Sequence, residues 1–138
     1  MYKLIKSAGA AALFTANLAL AADLTIHIDG VKAAAGTIKV SVFTSEGTFL
    51  KSPAKGGVAA ASLDSTTVLI PDLPEGDYAF AVYHDANANG KMDKNMFGIP
   101  TEASAFSNNA VGKMGPPSYA SAKFALPAQG ARVRVSLK

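Results

Sequence analysis

Residues 85–93 read Asp-Ala-Asn-Ala-Asn-Gly-Lys-Met-Asp, so that oxygen-bearing side chains stand at alternate positions before a glycine. Loops that wrap a calcium ion use this order, with ligands at the first, third, fifth, seventh and ninth positions and a sharply turning glycine at the sixth. The predicted ligands are the side chains of Asp85, Asn87, Asn89 and Asp93 and the carbonyl of Lys91. The pattern therefore predicts calcium as the cofactor; the alternatives are a turn stabilised by Asn and Asp hydrogen bonds, or another ion.

The carboxylate that would close such a cage is missing from its usual place. At the twelfth position, where a bidentate Glu normally ligates calcium, the chain has Met96. Glu102 is the candidate substitute, because the segment 98–100, Gly-Ile-Pro, can turn the chain back toward the loop. The alternative is that Glu102 is an ordinary exposed loop residue. A strand pattern precedes the loop where an EF-hand has a helix, so we do not predict an EF-hand.

The same carboxylates could in principle carry out hydrolysis. Paired carboxylates catalyse glycoside cleavage, and Asp85, Asp93 and Glu102 would supply them. Here, however, they alternate with Asn and Gly at the spacing of cation ligands, which favours a non-catalytic binding or structural module. We predict no catalytic residues, and a small secreted hydrolase or carbohydrate-active domain is the alternative.

Other residues with reactive side chains are predicted to have structural roles. His84 and Asp85 are neighbours on a strand and point to opposite faces, so we expect His84 to brace a loop. His27 alternates with apolar residues and is expected on the solvent face. The serines at 104, 107 and 118 lack the sequence context of a nucleophile. The Asn pair at 108–109 is expected to bond local backbone.

The first residues have the character of a signal peptide. Lys3 and Lys6 precede a largely apolar run over 7–20, and Ala19-Leu20-Ala21 supplies the small residues that a signal peptidase requires. We predict cleavage after Ala21, or one residue later, and hence a periplasmic or secreted protein. A membrane anchor is the alternative, but the apolar run is shorter than the roughly 20 residues needed to span a bilayer.

Composition limits the remaining function classes. The chain has 138 residues, no cysteine and a net charge of +3. Because the leader contributes two lysines, the mature chain carries only +1, and no electrostatic footprint for nucleic acid is present. Without cysteine, thiol catalysis and thiolate metal sites are excluded. We predict a single domain over 22–138, without a transmembrane anchor, whose partner is an unknown extracytoplasmic ligand or protein.

Strand patterns dominate the mature chain, because apolar and polar residues alternate along it. The predicted strands are 24–28, 38–43, 66–70, 77–84, 119–126 and 131–137, and the last two are predicted to form a hairpin across 127–130. Residues 58–63 are either an edge strand or a short helix. These elements predict an all-β antiparallel sandwich of immunoglobulin-like or transthyretin-like type, with six to seven strands.

One long loop, 85–118, interrupts this series of short strands. We expect no strand within it. Loops of this length in compact domains are usually functional or disordered, but this one carries much apolar surface. Its apolar residues are Met96, Phe97, Ile99, Phe106, Val111 and Met114. We therefore expect the loop to fold back and pack on the sandwich, with Phe97, Phe106 and Tyr119 in the core beneath it; the alternative is that these rings line a ligand groove.

Several motifs of this region resemble those of a known family. They are Leu-Pro-Glu-Gly-Asp-Tyr-Ala at 73–79, the His84–Asp93 segment, Gly-Ile-Pro-x-Glu at 98–102, Phe-Ser-Asn-Asn at 106–109 and Pro-Pro-Ser at 116–118. Together they resemble the uncharacterised bacterial exported family known as domain of unknown function 2141. The resemblance implies a secreted β-sandwich and supplies no reaction.

Overall fold

The computed structural model describes residues 21–138, so that the predicted leader, apart from its last residue, lies outside the described residues. The strands in this part of the chain are β1 (Ala22–Val31), β2 (Thr37–Phe43), β3 (Lys55–Ala60), β4 (Asp64–Leu73), β5 (Gly76–Asp85), β6 (Ser104–Phe106), β7 (Phe124–Leu126) and β8 (Ala131–Ser136). A 3₁₀ turn (Ser107–Asn109) and the short helix α1 (Tyr119–Ala122) lie between β6 and β7. In residues 21–138 no helix is both long and apolar enough to cross a membrane.

The strands form two sheets. One has the order β4-β1-β8; the other has the order β3-β2-β5-β6, and β7 also pairs with β5. The predicted all-β sandwich is confirmed. The pairing is antiparallel except between β1 and β8, which run parallel. The first and last strands of the sandwich are therefore neighbours.

Alternation along the strands builds the core between the sheets. Every second residue of β1 points inward, and Leu24, Ile26 and Ile28 are completely buried. From the facing sheet, Ile38 and Phe80 are equally buried. Since successive side chains of a strand point to opposite faces, this alternation in the sequence fixes which face of each sheet is covered.

The central strand β5 is covered on both faces. Tyr78, Phe80 and Val82 belong to the main core, whereas Ala79 lies in a second apolar cluster on the opposite face. The second cluster contains Phe43, Phe49, Ala79 and Ala122, with Phe106 and Tyr119 against it. Phe49 makes edge-to-face contacts with three of these rings. The small side chain of Ala79 leaves the space that this aromatic cluster fills.

The predicted C-terminal hairpin is wrong. Residues 119–122 form α1, because the Ser118 hydroxyl caps the helix by accepting the Ser121 N–H at 3.2 Å. Only 124–126 form a strand, and it pairs with β5, whereas β8 pairs with β1 in the other sheet. The connection at 127–130 thus crosses between sheets and does not join neighbouring strands.

Of the segment 58–63, residues 58–60 belong to a strand, β3, which pairs with β2, and 61–63 lie between β3 and β4. Most residues of β3 are small, and at Gly57 the reason is steric. A Cβ at this position would lie 2.4 Å from Cδ1 of Ile70 on the opposite sheet. Small residues in β3 therefore let the two sheets approach at this edge.

The long loop differs from its prediction in two respects. It contains a strand, β6, and most of its apolar residues do not pack on the sandwich. The exposed ones are Met96, Phe97, Ile99, Val111 and Met114, whereas Phe106 is half-buried. The exposure of Met96, Phe97 and Ile99 has a local cause. Residues 94–100 form a small hairpin in which Asn95 Oδ1 accepts the N–H groups of Phe97 and Ile99. This hairpin satisfies its own backbone and holds its apolar tip in solvent.

Candidate metal-binding loop

Asp85 is the anchor of the predicted calcium loop. It is the last residue of β5 and only 1% exposed. Its Oδ1 accepts the Asn89 N–H at 3.2 Å, and its Oδ2 accepts the Gly90 N–H at 2.8 Å. Gly90 has φ +82°, a left-handed conformation that suits glycine. The aspartate thus closes the loop onto itself, with the glycine at the turn that the spacing predicts.

The two asparagines connect the start of the loop to Asp93. Asn87 Oδ1 accepts the Asn89 N–H at 3.3 Å, and Asn89 Oδ1 accepts the Lys91 N–H at 3.1 Å. Their amide nitrogens donate to the two carboxylate oxygens of Asp93 at 2.5 and 2.6 Å. The predicted ligand residues therefore come together in one hydrogen-bond network. In this arrangement both amides present nitrogen, and not oxygen, to Asp93.

Glu102 also belongs to this network. Its Oε1 accepts the Asp93 N–H at 2.8 Å and its Oε2 accepts the Ala86 N–H at 3.0 Å. The backbone of Thr101 adds a bond from its N–H to the Asp93 carbonyl at 2.9 Å. Glu102 thus bridges the two ends of the loop and lies at its mouth, where the sequence reasoning placed the substitute for the twelfth ligand.

Three carboxylates of this loop lie close enough to Tyr83 to affect its pKa. Burial raises the pKa of Tyr83 above its ordinary 10.0, and the charges of Asp85, Glu102 and Asp93 raise it further. Within residues 21–138, the ion pairs of the structure are those of Asp29 with His27 and Arg134, on the other sheet. Within the described residues, the three carboxylates near Tyr83 therefore form no ion pair with Lys or Arg.

The donor set suits a hard cation, although the observed arrangement is not a preformed cage. Carboxylate, amide and carbonyl oxygens are what calcium prefers. Among residues 21–138, no group of three or more His, Cys, Asp or Glu side chains converges to hold a metal ion. Binding would require Asn87 and Asn89 to rotate their amides by half a turn, which would replace the nitrogens that face Asp93 with oxygens.

A neighbouring loop supports Asp85 from the side. A Cβ on Gly36 would lie 2.0 Å from the Asp85 carbonyl oxygen, so only glycine permits this approach. His84 Nε2 lies 2.6 Å from the Ala35 carbonyl oxygen, which confirms the predicted loop-bracing role. Lys39 Nζ donates to the Gly90 carbonyl at 3.4 Å. The sequence reasoning did not identify Gly36 or Lys39, because their contacts arise only when β2 pairs with β5.

The serines and the other histidine have structural contacts. Ser107 is buried; its Oγ accepts the Phe80 N–H at 3.0 Å and donates to the Ala122 carbonyl at 2.6 Å. It thereby fills the gap on the edge of β5 between the pairings with β7 and β6. His27 is half-buried on the outer face of its sheet, 3.2 Å from Thr67 Oγ1.

The adjacent asparagines differ from their prediction. Asn108 Nδ2 donates to the carbonyls of Ser121 and Lys123, and Asn109 Oδ1 accepts the Ser136 N–H at 2.9 Å. These partners are distant in sequence, so the expectation of local backbone bonds is wrong. Both asparagines have positive φ, which turns the chain so that their side chains can reach α1 and β8.

Comparison with known proteins identifies the family. Residues 26–134, more than three quarters of the chain, match the family described as "Uncharacterized protein conserved in bacteria (DUF2141)". The chain belongs to the DUF2141 family. The suspected membership is thus confirmed, and the match runs from β1 to β8, so that the 85–102 loop lies inside the DUF2141 unit. No curated protein matches the chain, and no solved structure matches it.

Proposed function

We propose that this DUF2141 protein is an exported, non-catalytic β-sandwich module whose 85–102 loop binds one calcium ion. The observation that carries the proposal is the network around Asp93. Two asparagine side chains and the carboxylate of Glu102 meet at this residue, while Asp85 holds the turn. Three carboxylates lie near Tyr83, and none of them forms an ion pair with a basic residue of 21–138. A bound divalent cation would neutralise part of their negative charge.

In the bound state, the ion would connect Asn87 and Asn89 to Asp93 in place of the hydrogen bonds that their amide groups now donate to Asp93. Asp93 would keep its place between Asn87 and Asn89, with their oxygens turned toward the ion. Calcium tolerates six to eight oxygens in flexible geometry, whereas magnesium requires a stricter octahedron and retains more water. Because Asp85 and Glu102 already accept backbone N–H groups, we expect a modest dissociation constant of roughly 10⁻⁴–10⁻³ M, as in extracellular modules.

The expected consequence of binding is order in the hairpin 94–100. This hairpin follows Asp93 directly, and the Thr101 N–H returns to the Asp93 carbonyl. An ion held at Asp93 would therefore fix both ends of the hairpin. At ten times the dissociation constant, binding would stabilise the fold by about 1.4 kcal/mol.

The non-catalytic character of the proposal rests on how the carboxylates are used. Both oxygens of Asp85 and both oxygens of Glu102 accept backbone N–H groups. Both oxygens of Asp93 accept amide hydrogens. Carboxylates engaged in this way favour a binding or structural role over general acid–base catalysis. Export, the other part of the proposal, is supported by the basic and apolar start of the sequence and its small-residue stop.

Calorimetric titration with calcium tests the proposal directly. The purified protein should bind one equivalent, and Asp93→Asn should abolish the heat of binding. Asp72→Asn, which changes an exposed carboxylate near the end of β4, is the matched control and should leave binding unchanged. Absence of binding by the wild-type protein at several millimolar calcium would contradict the proposal and leave the Asn- and Asp-stabilised turn as the explanation of the sequence pattern.

A further inference from the structure

A cleft of about 500 Å³ lies between β5, β6 and two segments of the long loop. Its floor includes Ala81, Tyr83 and Phe106 from the sheet, and its walls include Met92 and Pro100 from one loop segment and Pro116 from the other. The volume lies within the roughly 300–1,000 Å³ typical of pockets for small molecules. The lining is mostly apolar, as is usual for such pockets.

The cleft follows from the residues on the outer face of β5. This face carries Ala79, Ala81 and Tyr83. Ala79 is completely buried beneath the aromatic cluster around Phe49, whereas Ala81 and Tyr83 are only half-buried. Ala81 has a single methyl group, and the large apolar side chains of the hairpin 94–100 are exposed to solvent and do not cover it. The part of this face around Ala81 and Tyr83 therefore remains open. The cleft is thus a continuation of an apolar surface that the protein covers elsewhere.

Two polar side chains of the lining give the cleft a chemical preference. Lys94 lines it and makes no ion pair with any residue of 21–138. Tyr83 also lines it, and its phenol hydroxyl can donate a hydrogen bond. A cation and a neutral donor beside apolar walls suit a ligand with an apolar body and an anionic oxygen group.

The loop segment 92–94 separates this cleft from the calcium loop. Met92 and Lys94 line the cleft, while Asp93 between them belongs to the hydrogen-bond network of the loop. Alternate residues of an extended segment point to opposite sides. The lysine therefore faces the cleft, and the negative charge of its neighbour lies on the other side of the chain.

We propose that this cleft binds an apolar carboxylic acid, with the hydrocarbon part over Ala81 and Phe106 and the carboxylate at Lys94. The site is distinct from the calcium loop and does not require a bound ion. A medium-chain fatty acid such as decanoic acid has the required chemistry and serves as the probe. Decanol, with the same hydrocarbon body and no charge, is its matched control ligand.

The test is a titration of the purified, isotope-labelled protein followed by amide chemical shifts. Decanoate should shift the amides of Ala81, Tyr83 and Lys94, and decanol should bind up to about fivefold more weakly, as expected for loss of a solvent-exposed charge pair. Lys94→Gln should remove that difference between the two ligands. Lys113→Gln, which changes an exposed lysine outside the cleft lining, should preserve it.

A second variant addresses the apolar part of the site. Ala81→Phe should fill the floor of the cleft and weaken both ligands, while the melting temperature and the dispersion of the spectrum show that the fold is retained. Absence of shifts at the cleft, or equal affinity for decanoate and decanol in the wild-type protein, would overturn the proposal. Titrations with calcium and with chelator separate this result from the calcium proposal, because each binding event has its own reporter amides.

Discussion

The backbone N–H of Asp93 donates to Glu102 Oε1 at 2.8 Å, which joins the ninth position of the calcium-like loop to a carboxylate nine residues further along the chain. The second oxygen of Glu102 accepts the Ala86 N–H, so one side chain spans the loop. The hairpin 94–100 lies between Asp93 and Glu102 and brings this carboxylate back to the loop.

Glu102→Gln should reduce the increase in melting temperature that calcium produces. Glutamine keeps one acceptor oxygen for the backbone but loses the charge that would face the ion. Thermal melts with several millimolar calcium and with chelator measure the effect, and the wild-type shift is expected to be a few degrees. Glu75→Gln, an exposed glutamate in the turn before β5, is the control. A calcium shift that survives in Glu102→Gln would exclude Glu102 from the site.

Tyr83 should report calcium through its pKa. Its pKa lies above 10.0 because of burial and the nearby carboxylates, so its contribution to stability is present below pH 10 and is lost as pH rises through the folded-state pKa. Calcium would cancel the part that the carboxylates cause and lower this pKa. Ultraviolet titration of tyrosinate, assigned with Tyr83→Phe, measures it. Tyr78, whose pKa is raised by burial alone, should not respond to calcium.

Phe80→Ala should destabilise the protein by roughly 3–5 kcal/mol, because Phe80 is completely buried at the centre of the core. Phe97→Ala provides the matched comparison. Phe97 is 80% exposed at the tip of the hairpin, and its loss should change stability by less than about 0.5 kcal/mol. Denaturant unfolding measures both. Similar losses for the two variants would contradict the assignment of the core to this face of β5.

Gly36→Ala should destabilise the fold by about 1–3 kcal/mol and weaken calcium binding. The new methyl group would meet the Asp85 carbonyl at 2.0 Å, and the residue would hold φ +67°, so the loop must move away from the end of β5. Gly47→Ala is the control, since nothing lies within 4 Å of its added Cβ. An unchanged melting temperature in Gly36→Ala would show that this approach does not support Asp85.

The mature N-terminus should be Ala22. The sequence allows cleavage after Ala21 or one residue later, but Ala22 is buried and pairs with Leu73 at the start of β1. Cleavage after Ala21 keeps this contact, and cleavage one residue later removes it. Intact-mass measurement of protein from the native host distinguishes the two products. Retention of Met1 in a membrane fraction would contradict processing altogether.

The sequence predicted the strands wherever alternation was the main signal. Leu24, Ile26 and Ile28 point inward as their spacing required. It failed at 119–126, where the helix depends on a cap from Ser118 and the strand on a partner in β5. Such contacts come from tertiary structure, which a local pattern does not contain.

In the candidate site, too, local features were predictable from the sequence and tertiary contacts were not. The spacing of Asp85, Asn87, Asn89 and Asp93 was enough to predict that they surround one turn, because alternation and a glycine are local features. The burial of Tyr83 beside the carboxylates and the approach of Gly36 were not predictable, since both depend on the pairing of β2 with β5. Exposure of Met96 and Phe97 was missed because apolar composition alone does not reveal that a hairpin satisfies its own backbone.

The parallel pairing of β1 with β8 has a consequence for the order of folding. Leu24 lies beside Ala131, so the first strand finds one of its two neighbours only at the far end of the described chain. Contacts between residues so distant in sequence raise the contact order and slow folding, toward the millisecond-to-second range of all-β domains. The pairing of β1 with β4 closes a much shorter stretch of chain than the pairing of β1 with β8. We therefore expect the contact between β1 and β8 to form after the contact between β1 and β4.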